Sequence, residues 1–575
     1  MKVKVPILVQ DQWAAQREGI DLIEKYFIED EDFFLDGPVT KRIAIVDFDP
    51  DSGMLVAGAH FKSPEGRRKT GEYEIVDDKN LSALDLHQVL VFSAVKKAME
   101  MFEEPDTLGR PLVWAFNAPQ LLVVPRAGRW ENAYYERDSH SLQFFFFEHP
   151  NRPGETVYTS LSRDIVSHET GHAILDGIAP HLYNAIAPQS LALHEGVADL
   201  VAVLIAFRSP KLRQAVLDRT GGSIESSTEF SAVAEEFGNA LDGTGLAGYL
   251  RNLYNQKTLD LQDTSVDKLG NPNRVVRIEP HILCEVLTGA LYSVMVKLHS
   301  ALRTDLATRE NKSEFSVSGK ALALGSDRFK RMILRSLDYL PPGEVSFADY
   351  GRAIIASDTA SHPAPEDDQV REWLRQEFVQ RKIVPNRQAL EVKTNLIHPA
   401  FEGIDLQNLL ESNWAAYQFA NQHRELFGIP ADVPFEVEPR LKVTKRYYHR
   451  DGPKDVSECL FKVWWYTIED NQVGMQFPPN RRISVGTTLA IDWETNLIRV
   501  RLSSDRVNSP GEEKEQREDR DQFLRALAEQ GILRTKQSAV GPDGKPLCLV
   551  ISADDLDGVM RVNGMARMLH VIGRS

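Results

Sequence analysis

Cysteine is nearly absent from this chain. There are three in 575 residues, Cys284, Cys459 and Cys548, far apart and without a C-x-x-C pair. That spacing excludes a disulfide-stapled small fold and a thiolate zinc site. A basic excess is also lacking. The 67 lysines and arginines face 83 acids, a net charge of −16, so neither nucleic acid nor an anionic membrane surface is an expected partner. No run approaches the ~18 apolar residues of a membrane span, and no membrane association is expected. The start, MKVKVPILVQDQW, has two lysines and a short apolar patch. Gln10 and Asp11 end that patch too early for a signal-peptide core. A reducing cytoplasm is therefore the expected location. Internal repeats and low-complexity tracts are missing as well.

What is there is an ordinary globular composition, 42% apolar, long enough for about three or four domains. Residues 41–61 read as two strands around the turn Asp49-Pro50-Asp51-Ser52-Gly53. Ser52 and Gly58 stand where a calcium loop needs Gly and Glu, so the acids belong to a turn. Residues 82–104 read as an amphipathic helix. LVWAF, QLLVVP and SLQFFFFEH read as strands, and 160–380 as mostly helical. Residues 357–369 form a polar, proline-containing segment. Beyond 400, residues 483–503 predict a hairpin, and 511–530 a charged turn followed by a helix with a solvated face. The expected organisation is an α+β N-terminal region (1–110), a central domain (111–382) and a C-terminal α+β region (383–575).

The chemistry concentrates in SHETGH, residues 167–172. Thr159 or Ser160 can cap a helix through this stretch. Positions i and i+4 share a helix face, so His168 and His172 project together, with Glu169 beside them. H-E-x-x-H supplies two zinc ligands and a general base. Two histidines on a half-buried helix would be the plain alternative. The segment SLALHEGVADLVAVLIAF reads as a buried helix whose acids are Glu195 and Asp199, again one turn apart. A buried carboxylate needs a partner or a metal. Glu195 completes a His₂Glu set with one position open, the catalytic rather than the structural pattern of zinc. Asp199 can accept the other ring N–H of a ligand histidine. An acid pair bridged to arginines is the alternative here, and His194 is expected to point elsewhere on the helix.

HETGH followed by HEGVAD resembles the thermolysin-like gluzincin metallopeptidases. The resemblance covers about residues 112–382 and extends to Asn132-Ala133-Tyr134, Tyr183, His281 in EPHILCEVLTGALYSVM, and SFADYGRAIIASDTA. It implies an α+β fold: a zincin-type catalytic domain, with a small mixed sheet and active-site helix to about residue 185 and a helical subdomain after it. It implies one zinc per chain on His168, His172 and Glu195, and hydrolysis of peptide bonds by an activated water with Glu169 as general base. Tyr183 and His281 would donate to the oxyanion. Asn132 and Ala133 would hold an extended substrate, and Arg251 would bind a substrate carbonyl. The substrate would be a protein or peptide, cleaved internally.

The sequence also departs from that pattern. Ala206 replaces a calcium-binding acid, so calcium is not expected. Val276 replaces the acid that orients the family histidine, leaving Glu279 as the candidate. GRWEN (128–132) distantly echoes the amine-capturing motif of zinc aminopeptidases, a second reading. A third is a latent or inactive metal-binding scaffold acting through its flanking regions. The C-terminal region is the candidate surface for a protein partner or regulator.

Overall fold

The first strand, β1 (Val3–Leu8), alternates buried and partly exposed residues and pairs antiparallel with β2 (Ile23–Ile28). Period-two burial is what a half-covered hairpin requires. The computed structural model describes residues 3–562 and Met565, apart from 30, 65, 67, 82, 235–237, 239, 241–248, 269, 363–367, 450–451, 506–509 and 537–549. Cys548 and part of the polar 357–369 segment lie outside the described residues.

The fold is mixed α+β. Its central sheet has four strands, in the order β3 (Ile43–Ile45), β4 (Leu121–Val124), β6 (Ser141–Phe144), β5 (Ala133–Glu136). The first three run parallel and β5 pairs antiparallel at one edge. The expected hairpin over 41–61 is only partly present. The turn forms, closed by Gly53 N–H to Asp49 O (2.8 Å) and a Phe48–Leu55 bridge. However, β3 takes its ladder partner from Leu121–Val123, because a parallel place between the hairpin and the helix α1 (Leu84–Glu103) buries all three of its residues. LVWAF is not a strand, and SLQFFFFEH is two, β6 and Phe146–Glu148.

Helix α2 (Arg163–Ile178) lies against this sheet, and α3 (Pro188–Phe207) and α4 (Pro280–Glu310) pack behind it. The cap of α2 is Ser162, whose Oγ accepts from Ile165 N–H (3.3 Å). Thr159 and Ser160 instead form a short 3₁₀ turn before it. By length and composition α3 and α4 are apolar enough to cross a membrane, contrary to the sequence expectation. Yet 100% and 67% of their apolar windows are buried inside the protein, which marks them as core helices.

The C-terminal region is built on the antiparallel ladder β7 (Arg440–His449), β8 (Gly452–Asp470), β9 (Asn480–Asp492) and β10 (Ile498–Ser503). A further strand, β11 (Val559–Val562), runs parallel to β9. The predicted 483–503 hairpin is β9–β10. Residues Pro510–Glu529 form one helix, α5, so the charged stretch expected to open with a turn is helical from its start. Its charge run is not a solvated face throughout: Asp519, Arg520 and Asp521 are buried. One hydrophobic core includes Val5, Val123, Val201, Leu287, Val443 and Phe523 and so joins all three regions. A second core is confined to residues between Phe401 and Ile498.

Candidate metal centre

On α2, one helical turn separates two buried imidazoles. His168 Nε2 and His172 Nε2 stand 3.0 Å apart. Helix α3 brings Glu195 over them, with its two oxygens 3.5 Å from His168 Nε2 and 3.5 Å from His172 Nε2. One donor atom from each residue lies within 4.8 Å of the others, and all three side chains are buried. Nitrogen and oxygen ligands ~2.0–2.1 Å from a tetrahedral ion are about 3.3 Å from each other. The observed separations bracket that value, so this donor set fits a metal ion.

The surrounding groups hold these three side chains in place. Asp199, one turn beyond Glu195, lies with Oδ1 2.9 Å from His168 Nδ1. It also takes a two-pronged bond from Arg251, Nε to Oδ2 at 2.8 Å and Nη2 to Oδ1 at 2.7 Å. Both sequence alternatives for this acid are therefore realised at once. Arg251 is largely covered, its Nη2 also 3.7 Å from Glu195. The structure thus places its guanidinium behind the ligands, on Asp199. Burial opposes charging Asp199, but Arg251 and His168 hold its carboxyl below the usual range. Burial pulls His168 down, and its bonds to Asp199 and Glu195 outweigh that and lift it to about 10.

His194 does not point away, as the sequence suggested. Its ring stacks on His172 at 4.7 Å, with the two Nδ1 atoms 2.5 Å apart. Residue 194 precedes Glu195 on α3, and the packing of α3 against α2 sets its direction. Burial lowers its pKa to about 4, leaving a neutral ring. A histidine adjoining a ligand glutamate was the available signal. His281, the second residue of α4, brings Nε2 to 3.6 Å from Glu195. Glu279, at the helix cap, lies 3.4 Å from His281 Nδ1. Val276 is exposed, so Glu279 is the acid beside this histidine.

Glu169 faces the sheet edge. Its Oε2 accepts from Tyr135 N–H at 3.0 Å. Burial raises its pKa to about 7, and Glu195 adds to the rise while His168 opposes it. Alternate N–H groups of β5 and of the residue after it point off the edge that pairs with no strand among the described residues: Ala133 to Asn132 Oδ1 (2.9 Å), Tyr135 to Glu169, and Arg137 to the Tyr183 hydroxyl (3.3 Å). Asn132 and Ala133 are buried at the start of this edge. Tyr183 is buried too, under the Arg137 guanidinium (4.2 Å), its ring 5.9 Å from Tyr135 and 6.5 Å from His194. Its contacts are with the strand and with His194 rather than with the three ligand side chains. Glu131 of GRWEN is exposed.

No family model matches the chain, and no curated protein is detectably similar to it in sequence.

Proposed function

We propose that the chain is a zinc-dependent endopeptidase of the thermolysin-like gluzincin kind, with a zincin-type catalytic region acting on a protein or peptide. The observation that carries this reading is the meeting of three features at one point. A buried His-His-Glu donor set, a buried glutamate next to it, and a strand edge that pairs with no other strand among the described residues are held together by α2 and α3. His168, His172 and Glu195 would hold zinc, which supplies Lewis acidity and brings a water's pKa toward neutrality. A two-histidine, one-glutamate set with an open position is a catalytic zinc pattern, and the adjacent Glu169 supplies the base that hydrolysis at zinc uses.

The chain's own groups account for the rest. Glu169, at a pKa near neutrality, can take a proton from water and hand it to the leaving amine. An extended peptide adding along β5 would exchange the contacts that Asn132, Glu169 and Tyr183 now make with its N–H groups. His281, whose Nε2 lies 3.6 Å from Glu195, would donate to a developing oxyanion. Backbone pairing does not read a chain end, which suits internal cleavage. The exposed position of Glu131 gives an aminopeptidase no inward glutamate.

Zinc content and cleavage of an end-blocked, internally quenched peptide library test the reading, with wild type and Glu169→Gln side by side. The expected result is one zinc per chain in both and a rate at least ~10²-fold lower in the variant. A chain without metal, or a variant as active as wild type, overturns it.

A further inference from the structure

A cavity of about 460 Å³ opens between the C-terminal end of α2 and the outer face of the C-terminal sheet. Its helix side carries His181 and its sheet side Trp464, Tyr466, Arg482 and Arg561. The two arginines are brought together by strand register. β9 and β11 run parallel with Arg481 paired to Met560. Arg481 and Met560 are buried on the inner face, so their successors Arg482 and Arg561 stand side by side on the outer one. Like charges at neighbouring positions of a sheet repel. Neither guanidinium has an ion-pair partner among the described residues, and Arg561 Nε is buried without a hydrogen-bond acceptor.

The other charges of the cavity are mostly spent. Arg137 is paired with Asp176, and Glu344 with Arg520. Glu436 and Glu438 line the wall at exposed positions and are ion-paired with neither arginine. Arg482 lies over the Tyr466 ring at 3.6 Å, and Trp464 is wedged between Tyr466 (5.2 Å) and His181 (4.7 Å). Burial lowers His181 to about 4, so that ring adds no charge. Two unneutralised, forked cations beside an indole match an oxyanion carried on an apolar body.

We propose that this cavity is a binding site for an organic oxyanion, with a carboxylate or phosphate held between Arg482 and Arg561 and an apolar or aromatic group against Trp464. In a peptide ligand this corresponds to an acidic or phosphorylated residue next to an apolar one. The site does not depend on the metal reading.

Calorimetric titration of the full chain with three capped dipeptides tests this. The probes are N-acetyl-Phe-Glu-amide, N-acetyl-Phe-phosphoserine-amide and the uncharged N-acetyl-Phe-Gln-amide. At least one anionic probe should bind ten-fold or more tighter than the Gln probe, and the stronger of the two identifies the oxyanion. Arg482→Gln/Arg561→Gln should erase that preference without lowering the thermal midpoint, because it removes a repelling pair. Arg561→Gln alone should weaken it. Equal binding of all three probes, no binding at millimolar concentration, or an unchanged preference in the double variant overturns the proposal.

Discussion

Asp199 is a buried carboxylate that His168 approaches at 2.9 Å, Arg251 at 2.7 and 2.8 Å, and the Cys284 thiol at 3.9 Å. Replacing it with Asn keeps the shape and removes the charge. Arg251 would then be a largely covered cation whose nearest acid is Glu195, a loss of about 3–5 kcal/mol. His168 would lose the acceptor that fixes its tautomer, and metal affinity should fall ~10–100-fold. Thermal unfolding and competition with a metal-sensitive chelator measure the two effects separately. An Asp199→Asn protein that holds its metal as tightly as wild type would show that the acid serves Arg251 alone. The pairing of His168, His172 and Glu195 was legible in the sequence, since one helical turn and one buried acid are local facts. The direction of His194 and the attachment of Arg251 were not, since both depend on which surface of α3 meets α2 and α4.

Helices α2 and α3 cross at Gly171, inside the HETGH segment. A Cβ there would stand 3.0 Å from Ala198 Cα and 3.4 Å from Val201 Cβ. Alanine in a helix gains ~1 kcal/mol over glycine, but overpacking against another backbone costs about 1–3 kcal/mol. Gly171→Ala should therefore be destabilising by up to about 2 kcal/mol, and by separating the helices it should weaken metal binding. Gly196, on α3, is the control. Its added Cβ meets the side-chain ends of Thr288 (3.3 Å) and Leu287 (3.5 Å), which can shift, so Gly196→Ala should be close to neutral. Unfolding midpoints of the two variants decide the comparison; equal midpoints would remove the close-crossing argument. The helices themselves were readable from apolar periodicity and buried acids. Their caps and strand partners were less so: Ser162 rather than Thr159 ends the turn, and β3 pairs with β4 rather than within its own hairpin.

Across the molecule, the C-terminal region is tied to the loop between the ligand helices by buried charge. Glu344 accepts from Ile186 N–H (2.8 Å) and from Arg520 (3.1 Å), and Arg520 continues to Glu469, which also binds Arg481. Lys462 belongs to the same junction, donating to Leu340 O at 2.9 Å. Burial lowers its pKa from 10.5 to about 8, with Asp338 opposing the shift. A lysine depressed in the folded state destabilises it below that value, and the cost fades as pH rises from about 8 toward 10.5. The shift corresponds to about 3 kcal/mol. Lys462→Met should therefore raise stability at pH 7 by about 1–3 kcal/mol and flatten the rise between those pH values. Leu340 O keeps the Thr488 hydroxyl (2.8 Å) as donor. Denaturant midpoints across that pH range check this, and a variant less stable at pH 7 would show that the lysine is a needed charge.

The sequence by itself determined the mixed α+β class, the helices α2 and α3 and the donor set that could hold a metal. Each of these rests on short-range periodicity or on the cost of burying an acid. Only the tertiary structure decided what surrounds that set. Arg251 comes to Asp199 across 52 residues, Tyr135 to Glu169 across 34, and Arg482 beside Arg561 through a parallel strand pairing. Contacts of that range are selected by how helices cross and how strands register, and neither quantity is written in any local pattern of side chains.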